Sequence, residues 1–355
     1  MDFLSADPII EALHQRIDHG VFGYSRPAQA LTRAIVERLR RLYGWETREQ
    51  NIVYLPGVVS GLNIAVQAFA APGEGILAQP PVYFHFLRDP VQHGRVLLDP
   101  PLVQNGDSYE IDFDQFERAI TCETRVFMLC NPHNPVGRVF AKSELEKIAE
   151  ICLRHQLIIC SDEIHCDLVY APYRHIPIAT IGPEVEASTI TLMAPSKTYN
   201  IAGLECGYAI INNAELRNHW KDFSFGLVPG VNIMGHVAAL AGLAEGQDWL
   251  DQVLSYLQGN RDYLRDFLAE KMPSIRMSRV EATYLGWLDC NGIDRIKNPA
   301  EFFLNHARVA LSDGAEFGKG GKRFVRLNFA CPRQRLVQAL DRMQFALENF
   351  PKGIV

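Results

Sequence analysis

The chain carries no paired-cysteine signature. None of its eight cysteines forms a C-x-x-C pair, and most sit inside apolar runs. A disulfide frame and a zinc ribbon are therefore not expected, and buried thiols in a reducing compartment, the cytoplasm, are. The eleven histidines include no H-E-x-x-H, so no metal is expected. There is no dense Lys/Arg run and the net charge is −6, which argues against nucleic acid or an anionic membrane as a partner. Residues 50–73 and 223–244 carry no Asp, Glu, Lys or Arg and by length alone suggest membrane spans. Pro56, Gly57 and Asn63 interrupt the first, and Pro229, Gly230 and Asn232 the second, so interior helices and turns are the expectation. No internal repeat, low-complexity tract or N-terminal signal peptide is legible.

What is present is ordinary globular material: 355 residues, 48% hydrophobic and 21% charged, enough for two domains and a large core. Leu31, Ile35, Leu39 and Leu42 recur at helical spacing, which predicts a helix over 26–43 closed by Gly44. A second helix is expected to begin near Ser60-Gly61-Leu62. Strand-like apolar runs recur at 75–78, 96–98, 125–130, 157–161, 189–193 and 208–211, with helical patterns between several of them, notably 142–155. Strands alternating with helices predict an α/β fold, a mostly parallel sheet covered on both faces. A long helical pattern over 248–272 ends at Pro273. It is followed by strands near 284–288 and 324–329 and a helix from Pro332, a smaller α+β part.

Lys197 is the residue that points to chemistry. It follows an apolar strand in Ala194-Pro195-Ser196-Lys197-Thr198-Tyr199-Asn200, among small and hydroxyl residues without other charge. An amine held there can be neutral and nucleophilic, as a Schiff-base lysine must be. Upstream, Ile158-Ile159-Cys160-Ser161-Asp162 ends an apolar strand on an acid, and Phe127-Met128-Leu129-Cys130 runs into a loop with two prolines that presents Asn134. Open α/β sheets place ligands at such strand ends. An asparagine, a carboxylate and an amine in this order suit pyridoxal 5′-phosphate, which needs a donor at its phenolic oxygen, an acid at its ring nitrogen and an amine for its aldehyde. Backbone N–H groups at Ser60, Gly61 and Leu62 are expected to take the phosphate, with the Ser196 hydroxyl.

Asn131-Pro132-His133-Asn134-Pro135-Val136-Gly137, Ser161-Asp162-Glu163-Ile164-His165, Pro195-Ser196-Lys197-Thr198-Tyr199-Asn200-Ile201-Ala202-Gly203-Leu204 and Phe324-Val325-Arg326-Leu327-Asn328 together resemble the fold-type I class I/II aminotransferase superfamily. More narrowly, they resemble its MalY/PatB-type cystathionine β-lyase (C–S lyase) branch, over nearly the whole chain. The resemblance implies an aspartate aminotransferase-like fold, with a large cofactor domain over 22–256 and a small domain made of 1–21 and 257–355. It implies Tyr83 stacked on the cofactor ring, Arg326 on the substrate α-carboxylate, and Tyr24 reaching the phosphate of a neighbouring subunit in a homodimer with shared active sites. His165 stands where many aminotransferases carry a tyrosine, and both a direct cofactor contact and a supporting role are open to it. The chain departs from the wider superfamily at Ala194, usually Ser or Thr, and at Glu205, usually an arginine clamping the phosphate.

The activity implied is β-elimination from an amino-acid thioether such as cystathionine, giving a thiol, pyruvate and ammonia. An aminotransferase is the alternative. A regulatory or scaffold protein with weak lyase activity is the second, because the family usually has further residues before Met1 that cover the substrate pocket.

Overall fold

A computed structural model describes residues 1–350; residues 351–355, the end of the expected smaller domain, lie outside the described residues. A seven-stranded sheet runs in the order Ile52–Leu55, Gly207–Ile210, Thr189–Met193, Ile158–Asp162, Thr124–Cys130, Gly75–Leu77, Val96–Leu98. Only Gly207–Ile210 opposes its neighbours; every other pairing is parallel. The strands are legible as unbroken apolar runs because both faces are covered. Val126, Met128 and Cys130 pack with Leu62, Ala65 and Val66 of the Val58–Phe69 helix. Phe127 and Leu129, pointing to the other face, pack with Leu145, Ile148 and Ile151 of the Lys142–Arg154 helix. Each fully buried side chain of this kind contributes roughly 1.5–3 kcal/mol.

Two elements differ from the sequence reading. The Ile52–Leu55 strand is not among the expected ones, since it lies in the uncharged stretch before Pro56; it is an edge strand pairing antiparallel with Gly207–Ile210. The second helix starts at Val58, behind Gly57, rather than near Ser60. The Gln29–Tyr43 helix ends as expected on Gly44, whose left-handed φ of 63° turns its N–H back to Arg40 O at 3.0 Å.

The 25-residue Gln247–Lys271 helix leads to a second, antiparallel sheet in the order Arg276–Met277, Leu285–Asp289, Phe324–Asn328, Ser312–Asp313. The Arg333–Asn349 helix packs on it through Leu336, Leu340 and Met343. Among the described residues no helix is long and apolar enough to cross a membrane.

Close packing near Lys197 depends on one glycine. The Ile233–Glu245 helix is capped by Asn232, whose Oδ1 accepts from Gly235 N–H at 2.8 Å while its Nδ2 donates to Leu204 O at 2.8 Å. A Cβ on Gly235 would lie 2.3 Å from Leu204 O, a backbone atom that cannot swing aside. Gly235→Ala is expected to destabilise the protein by about 1–3 kcal/mol in denaturant melts.

Candidate active site

The C-terminal ends of Thr124–Cys130, Ile158–Asp162 and Thr189–Met193 are adjacent, with Cys130 paired to Asp162 and Asp162 to Leu192. The segments leaving these three strand ends converge on a cavity of about 480 Å³ lined by Asn134, Asp162, Lys197 and Arg326. Ser60, Tyr83, His165 and Ser196 also line it. Two loops are tied together beneath it by His133, whose ring lies within hydrogen-bond distance of Cys130 O (3.1 Å) and Pro81 O (2.9 Å). This fixes the loop carrying Asn134 against the one carrying Tyr83.

Three expected residues lie elsewhere. Leu62 is fully buried in the core, and Gly61 packs against Leu55 and Leu192 with its N–H already directed to Gly57 O at 3.4 Å. Because the helix begins at Val58, its free N–H groups belong to Val58, Val59 and Ser60, which line the cavity. The expectation for Gly61 and Leu62 is corrected accordingly. Tyr24 is fully exposed and lies outside the cavity of its own chain.

Sequence reasoning missed Tyr284, Leu285 and Asn328, which the second sheet brings to the opposite wall, and Gly57 at the helix start. The one signal available is a polar-tipped aromatic opening a buried strand, Tyr284-Leu285-Gly286-Trp287.

The electrostatics follow from burial. Among the described residues no carboxylate lies within 4.0 Å of the Lys197 amine, and burial lowers its proton affinity, opposed by Asp162 and aided by Arg326. The Asp162 carboxyl is pushed up to about 7, chiefly by burial, against a single N–H from Ile164 at 3.1 Å. His165, buried beside the charges of Lys197 and Arg326, is lowered to about 3 and is neutral; its Nδ1 is buried without a hydrogen-bond partner among the described residues. Its ring meets that of Tyr284 edge-on at 5.9 Å, and burial raises the Tyr284 hydroxyl to about 12. Arg326 Nη1 donates to Asn134 Oδ1 at 2.9 Å, Nη2 donates to Ser312 Oγ at 3.2 Å, and the guanidinium lies 4.8 Å from the Phe317 ring centroid. With Oδ1 engaged, Asn134 is left with Nδ2 as its donor.

The Asp162 shift has a consequence for stability. The folded, ligand-free protein keeps this proton up to about pH 7, whereas the unfolded chain loses it near 3.8. The native state therefore binds more protons in that window, and stability falls as pH rises through it. Ligand-free Asp162→Asn is expected to be more stable than the parent above pH 7, by on the order of 3 kcal/mol, with the difference gone below pH 4. Urea midpoints at the two pH values check this.

Residues 2–343 match the aminotransferase class I and II family. Cystathionine beta-lyase PatB of Bacillus subtilis is 37% identical, over 98% of this chain and 90% of its own. The chain belongs to that family. Among solved structures, OvoB superposes with a TM-score of 0.94 at 42% identity, covering 98% of this chain and 91% of that one. The PLP-bound C–S lyase of Staphylococcus hominis gives 0.93 at 30% identity, covering 98% and 89%. The expected α/β aminotransferase fold is thus the one observed, and the narrower likeness to the PatB and MalY proteins holds as well.

Proposed function

We propose that this protein is a pyridoxal 5′-phosphate-dependent C–S β-lyase that cleaves cystathionine or a related cysteine thioether to a thiol, pyruvate and ammonia. The observation that carries the reading is the convergence of Lys197, Asp162, Asn134 and Arg326 on one cavity in a relative of cystathionine β-lyases. The cavity suits the cofactor on its own terms. Among the described residues, an amine without an ion-pair partner, a buried carboxyl short of donors and an orphaned His165 Nδ1 all lack what a charged heterocycle with a phenolic oxygen supplies.

When bound, the cofactor provides an electron-accepting ring that stabilises negative charge at the substrate Cα. Lys197 would hold its aldehyde and would move the proton at Cα, a role that its lowered proton affinity favours. Asp162 would pair with the ring nitrogen and keep it protonated. Asn134 would donate through Nδ2 to the phenolic oxygen, and Tyr83 would pack on the ring. Arg326 receives the substrate α-carboxylate bidentately. The phosphate is met by the N–H groups of Val58, Val59 and Ser60, where the dipole of the 12-residue helix helps, and by the Ser196 hydroxyl. Glu205 at the exposed rim adds no cation there. Tyr24 of a second copy supplies the missing contact in this reading. The exposure of Val21, Phe22, Tyr24 and Phe225 supports a homodimer, since these large apolar groups find no cover within the chain. All eight cysteines are free, which suits the cytoplasm.

Aminotransferase activity is the competing outcome, because both reactions begin with loss of the Cα proton. Incubation with cystathionine is expected to release thiol and pyruvate in equal amounts. Glutamate formation from an amino acid and 2-oxoglutarate without thiol release would reject the lyase reading.

A further inference from the structure

Directly behind Asp162 is a polar group for which the proposed chemistry has no use. Glu163 continues the strand, its N–H donating to Leu192 O at 2.9 Å, so its side chain points away from the cavity into the protein. There the carboxylate is fully buried and held by three contacts. Ser161 Oγ donates to Oε1 at 2.8 Å, Ile178 N–H donates to Oε1 at 3.3 Å, and His175 Nε2 lies 2.7 Å from Oε2. His175 is 1% exposed, its Nδ1 has no partner among the described residues, and its ring abuts Tyr43 edge-on at 5.6 Å. Two carboxyl groups consecutive in sequence thus sit on opposite sides of one strand end, both out of water.

We infer that Glu163, anchored by His175, is a positioning residue that acts through Asp162: its charge adds to the effect of burial in making Asp162 hold a proton until a cation occupies the cavity. This rests on the reading of Asp162 as the partner of the cofactor ring nitrogen. The physics is an uneven division of donors. Glu163 has three and Asp162 has one, so Asp162 is the carboxyl of the two that is left short of hydrogen bonds and open to the cavity. The other groups facing Asp162 are Lys197, Tyr83, Cys130 and Cys160, and of these only Lys197 favours its ionised form. On the Glu163 side the remaining neighbour is the Cys166 thiol, with Arg38 and Asp167 beyond it as a closed ion pair at 2.6 Å. Without a cation opposite it Asp162 is thereby spared an unpaired buried charge, and a ring cation would ionise it.

The test uses the full chain as wild type, Glu163→Gln and His175→Asn. The Asp162 carboxyl is titrated by carbon NMR in ligand-free protein, assigned with Asp162→Asn, and the pH midpoint of the visible cofactor band is followed after loading with pyridoxal 5′-phosphate. Glu163→Gln is expected to lower the Asp162 midpoint by about one pH unit. His175→Asn disturbs the same contact but keeps the carboxylate, and is expected not to lower it. An unchanged midpoint in Glu163→Gln, or an equal fall in both variants as loosened packing would cause, overturns the inference. Should Glu163→Gln fail to fold, the uncharged Glu163→Met takes its place: a lowered Asp162 midpoint upholds the inference and an unchanged one overturns it. Failure of the cofactor to bind would count against the proposed function and leave the ligand-free titration readable.

Discussion

Lys197→Ala is expected to lower pyruvate release from cystathionine by roughly a thousandfold or more, because one side chain both anchors the cofactor and moves the Cα proton. The loss is chemical and not structural. Among the described residues Lys197 makes no ion pair, and burial already disfavours its charge, so removing it breaks no salt bridge and leaves a fold at least as stable. Circular dichroism and the urea midpoint are therefore expected to match the parent, while the cofactor washes out on dialysis. Lys197→Arg is expected to fail as completely. A guanidinium stays protonated at any accessible pH and cannot serve as nucleophile or base. Added methylamine is expected to restore part of the Lys197→Ala activity and none of the Lys197→Arg activity, since only the alanine leaves room for it.

The second large effect concerns Arg326, seated on Phe324–Asn328 with its fork shared between Asn134 and Ser312. Arg326→Ala is expected to reduce kcat/KM for cystathionine by roughly a hundredfold to a thousandfold, the range for removing one partner of a desolvated charge pair. Most of the loss should appear in KM, because the α-carboxylate is held alike before and during reaction. A thioether amine without the carboxylate supplies the control. The parent is expected to bind it poorly and the variant no worse than the parent, so discrimination between amino acid and amine collapses. Arg326→Lys is expected to recover little, because an ammonium cannot reproduce the bidentate geometry. If the variant kept its preference for the carboxylate, the assignment of Arg326 would be wrong.

Much of this site is legible in the sequence because the chemistry sits at strand ends. Thr124–Cys130, Ile158–Asp162 and Thr189–Met193 are buried on both faces, so they appear as continuous apolar runs, and the polar residues at or just after the end of each run mark the mouth of the sheet. Asn134, Asp162 and Lys197 stand out in that way. Helix starts are harder. Gly57 caps without a side-chain signal, and Val58 and Val59 look like strand residues, so the pattern points to Ser60-Gly61-Leu62 while the helix starts two residues earlier, at Val58. The Ile52–Leu55 strand leaves no signature because a four-residue edge strand beside Pro56 has too few positions to show a period. Tyr284 and Asn328 are hidden for another reason. Their place in the cavity depends on how the second sheet docks against the first, a contact between segments far apart in the chain that no local pattern encodes.

The central claim is that Lys197 carries the cofactor, and chemical reduction tests it most directly. Borohydride treatment of the loaded protein followed by peptide mass mapping is expected to find a single phosphopyridoxyl group, on the peptide containing Lys197. A label on any other lysine, or none at all, would contradict the account.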